Sequence, residues 1–222
     1  MKDNLELNNL IITIDNAGSI GQKENDTINT NYETLAYFTL RTALIENLVQ
    51  YTKVIVITFA NFCGDFSHKD IIKGISRIEK ELGYKLPFIS SSESNFVMRE
   101  SALSFTCIGE KLNTKRKSFS NVAVIGRPLL GNEIIERASE IVTLKEIIAL
   151  LASENVSKVI STGSKGINSK IESNLGFTFK SDEIDLYKSS GPSSCVIVVY
   201  DSLKELKKII KSPIIVLNKT KF

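Results

Sequence analysis

The sequence predicts an α/β protein of two domains, and three observations carry that expectation. Short β-branched runs recur between stretches with helical apolar spacing. A polar, basic stretch, Lys111–Ser120, interrupts the pattern near mid-chain and reads as a linker. Beyond it, strands and helices alternate. The expected domains are residues 1–118 and 119–222. A chain of 222 residues is long enough to bury a sizeable core.

In the first half, Ile11-Ile12-Thr13-Ile14 is β-branched and predicts a strand ending at Asp15. A loop with Gly18 and Gly21 follows, and Asp26 closes the segment. Glycine takes positive φ and lets the backbone approach a phosphate closely. A carboxylate beside such a loop suits Mg²⁺ and a nucleotide. Asp-Asn-Ala-Gly is also an ordinary turn, and local composition favours that reading. Gln22–Asn31 reads as a mobile polar loop. Leu35, Phe38, Thr42, Ile45, Leu48 and Val49 then share one helix face, with Arg41 and Glu46 beside it. Val54–Phe59 is a continuous apolar run, expected as a strand covered on both sides. Asn61–Lys69 is expected as a loop holding the only histidine, His68. Ile71, Ile72, Ile75, Ile78 and Leu82 mark an amphipathic helix. Phe88–Ser94 reads as a serine-rich loop. Leu103, Phe105 and Cys107 alternate with Ser104 and Thr106 as a strand.

In the second half, Val122–Ile125 is a short strand. Thr143 and Glu146 form a capping box for a helix carrying Leu144, Ile147, Ile148 and Leu151. Val156–Ile160 is a strand, followed by Gly163-Ser164-Lys165-Gly166 and a helix to about Leu175. Cys195–Tyr200 is a buried strand, Ser202 and Glu205 cap a helix, and Pro213–Leu217 is a last strand.

Composition excludes several classes. At 42% hydrophobic and 24% charged, the chain is an ordinary soluble globular protein rather than a disordered one. A net charge of +3 is too small to imply a nucleic-acid partner. Apolar runs such as Val196–Tyr200 are too short to span a bilayer, and the polar N-terminus shows no signal peptide. Cys63, Cys107 and Cys195 lack a Cys-x-x-Cys spacing, which suggests reduced, buried thiols in a cytoplasmic protein. His68 has no companion histidine, which argues against a nucleophile–His pair or a His-based metal site. Lys111, Lys115, Arg116 and Lys117 read as a solvated charge run without interleaved aromatics.

Two groups of residues invite chemistry. Gly163-Ser164-Lys165-Gly166 is not a P-loop, because its lysine precedes the glycine. It reads first as a strand-to-helix turn, although helix N-terminal amides there suit an anion. Asp15, Glu46 and Glu93 offer oxygen ligands from separate segments, as a hard divalent cation requires. Spacing alone does not distinguish such a set from three surface carboxylates.

Taken in order, these segments resemble the superfamily of aminoimidazole-ribonucleotide synthetase, thiamine-monophosphate kinase and selenophosphate synthetase. The α-ribazole kinases of cobamide salvage are the most similar branch. Their pattern of Asp, glycine-rich loop and later Asp is similar to Asp15 through Asp26. Their Arg-Val-Ala-Leu-Met-Glu helix is similar to Arg41-Thr42-Ala43-Leu44-Ile45-Glu46, and their Ser-Thr-Glu-Glu-Asn to Ser91-Ser92-Glu93-Ser94-Asn95. Gly126-Arg127-Pro128, Gly131-Asn132-Glu133, Gly163–Ile167 and Lys188-Ser189-Ser190-Gly191-Pro192 match later motifs.

The resemblance implies a two-domain PurM-like architecture. Its N-terminal α/β domain pairs with a second copy to close a β-barrel, and its C-terminal domain is α/β. It implies a cytoplasmic homodimer without nucleic-acid or membrane partners, using Mg²⁺ and ATP to phosphorylate a nucleoside-like molecule. The best single acceptor is α-ribazole, giving α-ribazole 5′-phosphate. Asp15, Glu46 and Glu93 fall where metal ligands are expected. Gly18, Gly21, Lys23, Asp26, Arg41, Asn95, Ser164, Lys165 and Gly166 fall at ATP- or substrate-binding positions. Ser19 replaces a glycine, Ser94 the second glutamate of Glu-Glu-Asn, and Cys63 a loop glutamate. Gln50-Tyr51-Thr52 replaces a small turn. A non-catalytic paralogue that binds a nucleotide or nucleoside in a regulatory role is the alternative these departures leave.

Overall fold

The computed structural model describes residues 4–114 and 117–217, so Lys115 and Arg116 of the basic stretch lie outside the described residues. The chain divides into two compact units, Met1–Asn113 and Thr114–Phe222.

The first unit runs β1 (Leu5–Leu7), β2 (Leu10–Gly18), β3 (Ile20–Gly21), β4 (Ile28–Asn29), α1 (Tyr32–Leu48) and β5 (Thr52–Asn61). It continues with α2 (His68–Leu82), β6 (Phe88–Ser92) and β7 (Ala102–Lys111). Five strands form one sheet in the order β1-β2-β7-β5-β6, antiparallel except for the β5–β6 pair. β3 and β4 form a small parallel pair. Alternation along β2 and β7 turns Ile11, Thr13, Leu103, Phe105 and Cys107 inward, where α1 packs on them.

The expected single apolar face of α1 understates its burial. Ala36, Tyr37, Thr39, Leu40, Arg41, Ala43 and Leu44 are buried as well. The cause is a second layer: α2 lies close against α1, since a Cβ at Gly74 would come within 2.6 Å of the Glu33 carbonyl. A helix hydrophobic all round is one buried all round.

Other local expectations are corrected too. β2 runs on to Gly18, so Asp15 lies inside the strand rather than at its end. Gln22–Asn31 contains β4, and His68 opens α2 rather than sitting in a loop. Phe88–Ser92 is an edge strand despite its serines, because β5 supplies a parallel partner. Val54–Phe59 was expected to be covered twice, yet Val56 and Thr58 are only half-buried.

The sheet's second face explains this. Register sets Ile14, Thr106, Thr58 and Ile89 side by side on it, and Leu5 and Leu7 of β1 lie on the same face opposite Ile12 and Leu10. Leu5, Leu7, Ile14 and Ile89 are each more than half exposed. The sheet is open, with β1 and β6 as edges, and no closed barrel forms among the described residues.

The second unit runs β8 (Asn121–Ile125), α3 (Glu133–Glu136), α4 (Leu144–Ala152), β9 (Val156–Ser161), α5 (Gly166–Leu175), β10 (Val196–Tyr200), α6 (Leu203–Ile209) and β11 (Ile214–Leu217). Its antiparallel sheet has the order β11-β8-β10-β9. Every residue of β10 is buried, as a central strand covered on both faces requires. On one face Val122, Val124, Ile197 and Val199 pack with Ile167, Ile171, Phe179 and Leu186.

The Thr143–Glu146 capping box is present, and Leu144 and Ile147 are buried as expected, joined by Leu150 in place of Ile148 and Leu151. Glu146 does more than cap. Its carboxylate accepts hydrogen bonds from the amides of Thr143 (2.8 Å), Lys211 (2.7 Å) and Ser212 (2.8 Å), and from the hydroxyls of Thr143 and Ser212. Burial alone would raise this carboxyl, but those donors hold it below its ordinary value of 4.5. Its contribution is therefore present above pH 4.5 and is lost as pH falls through the lowered folded value. We expect Glu146→Ala, which strands the buried Ser212 amide and hydroxyl and frees the amides of Thr143 and Lys211, to cost on the order of 3 kcal/mol at pH 7. The deficit should shrink in acid. Urea denaturation at two pH values checks this, and an unchanged midpoint at pH 7 would contradict it.

Candidate functional site

β2, β5 and β6 end, and β7 begins, along one rim of the first unit's sheet. The chain leaves β2 through Ser19, whose φ of 59° is left-handed. That conformation favours glycine, which accounts for the glycine expected there. Ser19 is held by its amide on the Ser101 carbonyl (2.8 Å) and by its hydroxyl against that of Thr27 (3.0 Å). Gly21 follows at very close quarters: a Cβ there would lie 2.4 Å from Ser101 Oγ and 2.8 Å from Asp26 Oδ2. Gly18, by contrast, faces open space.

Asp26 is the hub of this loop. Its Oδ1 accepts from the Ser101 amide (2.7 Å), and its Oδ2 from the Ser101 hydroxyl (2.7 Å) and the Lys23 amide (2.8 Å). Burial acts to raise its pKa, but these donors and the Lys23 charge prevail and lower it. The Lys23 ammonium donates to the carbonyls of Phe62 (2.8 Å) and Glu100 (3.3 Å). No carboxylate stands in salt-bridge range of it among the described residues.

Asn61 extends the rim. Its side chain receives the Cys63 amide (2.9 Å) and reaches Ser92 Oγ (3.2 Å), and its carbonyl receives the Glu93 amide (2.8 Å). The Glu93 carboxylate accepts from the amides of Asn95 (2.7 Å) and Phe96 (3.2 Å). Cys63 is buried, with its thiol on the Ala102 carbonyl (3.3 Å). Burial pushes that thiol up to about 11, so it carries no charge near neutrality.

Asp15 lies deeper, on the helix face of β2. Burial pushes it up to about 6, opposed by the Asn16 amide and the Thr42 hydroxyl. Glu46, one turn after Thr42 on α1, shares a neighbour with it. Burial raises the Cys107 thiol, and the charges of Glu46 and Asp15 raise it further. Asp15 and Glu46 thus both act on the Cys107 thiol. Glu93 stands apart, at the end of β6 and three strands across the sheet from β2. Among the described residues no three His, Cys, Asp or Glu side chains gather as a metal cage. Arg41 is 1% exposed, and its charge lies near the Tyr37 hydroxyl.

In the second unit, Gly166 has φ of 76°, and a Cβ there would meet the Tyr187 carbonyl at 2.7 Å. The amides of Ile167 and Asn168, which an anion would want, already donate to the Leu186 carbonyl (2.8 and 3.0 Å). Ser164 and Lys165 are the exposed groups of this turn. Sequence reading missed Ser101 and Asn61, the two residues that knit the rim. Ser101 lies 75 residues from the Asp26 it binds, and nothing local marks it.

No protein-family model matches the chain, and no curated protein matches it by sequence. Solved structures do share its fold. A HypE–HypF complex matches with a TM-score of 0.62 at 16% identity, over 97% of this chain and 86% of that one. Hydrogenase maturation protein HypE in complex with ATP matches at 0.60 and 8% identity, over 96% and 77%. Thermotoga maritima PurL complexed with AMPPCP matches at 0.58 and 11% identity, over 96% of this chain and 36% of that one. At these identities the likeness establishes the fold alone, which is a mixed α/β PurM-like fold. No helix among the described residues is long and apolar enough to cross a membrane.

Asp15 supplies a test of this geometry. Its carboxyl sits at about 6 in the fold against 3.8 as an ordinary aspartate, so the folded chain holds the extra proton. Stability therefore falls as pH rises through about 6, by roughly 3 kcal/mol for this group. We expect metal-free Asp15→Asn to melt above the parent at pH 8, with the gap closing towards pH 4 (near the ordinary aspartate value). A lower melting temperature at pH 8 would place Asp15 in a different environment.

Proposed function

We propose that this chain is an ATP- and Mg²⁺-dependent phosphotransferase acting on the alcohol of a small nucleoside-like molecule, with the triphosphate at the rim of the first unit. The observation that carries this is the meeting of Gly21, Lys23 and Asp26 there. Gly21 lets Ser101 and Asp26 close on the loop, and a lysine stands beside them tied only to main-chain carbonyls. Such an ammonium can exchange carbonyl oxygens for phosphate oxygens. The HypE and PurL structures that hold ATP and AMPPCP support ATP as the ligand. The ordered motifs support α-ribazole as acceptor and α-ribazole 5′-phosphate as product, in a cytoplasmic salvage reaction.

Asp15 and Glu46 fit a divalent cation on one physical ground. Both carboxylates act on the buried Cys107 thiol, and burial destabilises the charge of Asp15. Mg²⁺, when bound, would neutralise phosphate charge there. It takes one or two protein carboxylates directly and keeps several waters, so it does not require Glu93, which lies three strands away. In phosphoryl transfer the protein mainly positions reactants and offsets charge. Here Asp26 fixes the loop through Ser101, while Lys23 meets the triphosphate. Asn95, by motif position, adds a contact at this rim, whereas Arg41 is 1% exposed and stays in the core. Ser164, Lys165 and Gly166, also by motif position, are proposed separately as an anion-contacting turn of the second unit.

A second reading keeps binding without turnover. The resemblance calls for a glutamate where Cys63 stands, and that thiol is buried and neutral. Thermal shift with Mg-ATP, run beside ATP consumption with α-ribazole and other nucleosides, separates the two. We expect stabilisation of about 3 kcal/mol at a hundredfold excess over Kd, together with turnover. Lys23→Ala should lose most of both. Stabilisation without turnover on any nucleoside favours the regulatory reading, and neither effect sinks both.

The uncovered sheet face fits a second copy of the chain. An apolar row of Leu5, Leu7, Ile14 and Ile89 is the kind of surface that marks an interface. It would also cover the second side of Val54–Phe59. We expect light scattering at tens of micromolar (about where a modest interface associates) to show a dimer that Ile14→Asp dissociates. A monomeric parent would refute this.

A further inference from the structure

We infer that the second unit carries a docking site for an acidic peptide segment with an apolar anchor, separate from the nucleotide rim. An open cavity of about 420 Å³ lies between the start of α4, the 138–140 turn and the α6–β11 connection. Ala138, Ile141, Ile209, Lys145, Lys211 and Glu146 line it, the two lysines exposed and Glu146 buried.

Charge is divided by depth. Lys145 and Lys211 are exposed, and neither has a carboxylate in salt-bridge range among the described residues. Lys204, Lys207 and Lys208 are exposed on the neighbouring α6, and only Lys208 is paired, with Glu205. The nearby Glu140 carboxylate is occupied by Arg127 and Arg137. The exposed lining is therefore net positive. The buried part is the reverse: Glu146 is ionised, and the amides of Lys211 and Ser212 point to it. No buried side-chain donor is left unpaired among the described residues.

This division selects the occupant. A free phosphate entering the cavity would meet the Glu146 carboxylate, which already holds the amides of Thr143, Lys211 and Ser212. An aliphatic or aromatic side chain would meet Ile141 and Ile209. Carboxylates on either side of it would meet Lys145 and Lys211, giving a buried apolar anchor within a charged rim. Complementary charge of this kind also speeds encounter.

The test uses the full chain and a library of short synthetic peptides varied in acidic content and in the central residue. The expected winners are acidic, with Leu, Ile or Phe at the centre. Replacing that residue by Ala, or using the K145E/K211E double variant, should weaken binding about tenfold or more. Both lysines are exposed, so the variant's melting temperature and Mg-ATP shift should match the parent. Failure of the nucleotide reading would leave this result untouched. No enrichment, enrichment of neutral or basic peptides, or unchanged binding to K145E/K211E would overturn the inference. Displacement of the peptide by inorganic phosphate alone would also overturn it, and would mark a small-anion site.

Discussion

Much of the first unit hangs on one buried amide. Asn47, near the end of α1, donates to the carbonyl of Ile11 on β2 (2.9 Å) and reaches Thr13 Oγ1 and the Cys107 carbonyl on β7 (3.3 Å each). Its own Oδ1 accepts from the Thr52 hydroxyl at the start of β5. One side chain thus ties a helix to three strands. The arrangement is possible only because β7 offers Gly109, where a Cβ would sit 2.1 Å from Asn47 Oδ1. Leaving such a buried amide without its partners costs more than the bonds themselves contribute.

That clamp fixes what else α1 can do. With Asn47 over Ile11 and the Ala43 carbonyl receiving Thr13 Oγ1 (2.7 Å), Glu46 and Thr42 are set over β2 and β7 beside Asp15. The helix is closed in by α2 behind it, and burial beneath it holds the carboxyl of Asp15 high.

What was legible in the sequence followed from periodicity and local chemistry. The alternation Leu103, Phe105, Cys107 identified the buried face of β7, and Thr143 with Glu146 marked the start of α4. Asp26 and the glycines stood out because their spacing is local. What was not legible depends on distant partners. Ser90–Ser92 has weak strand character and is a strand only through β5. Ser101 and Asn61 became rim residues only when β5 and β7 were paired. Gly109 looked unremarkable until Asn47 was placed over it. The double-sided reading of Val54–Phe59 was half met within this chain, because apolar composition records burial without naming what provides it.

Hydrogen exchange with and without Mg²⁺ and a non-hydrolysable ATP analogue measures the central claim directly. Binding at the rim predicts protection of the amides over residues 19–30 and 93–101, where Ser19, Lys23 and Ser101 donate. Protection confined to residues 163–168, or none at saturating nucleotide, would contradict it.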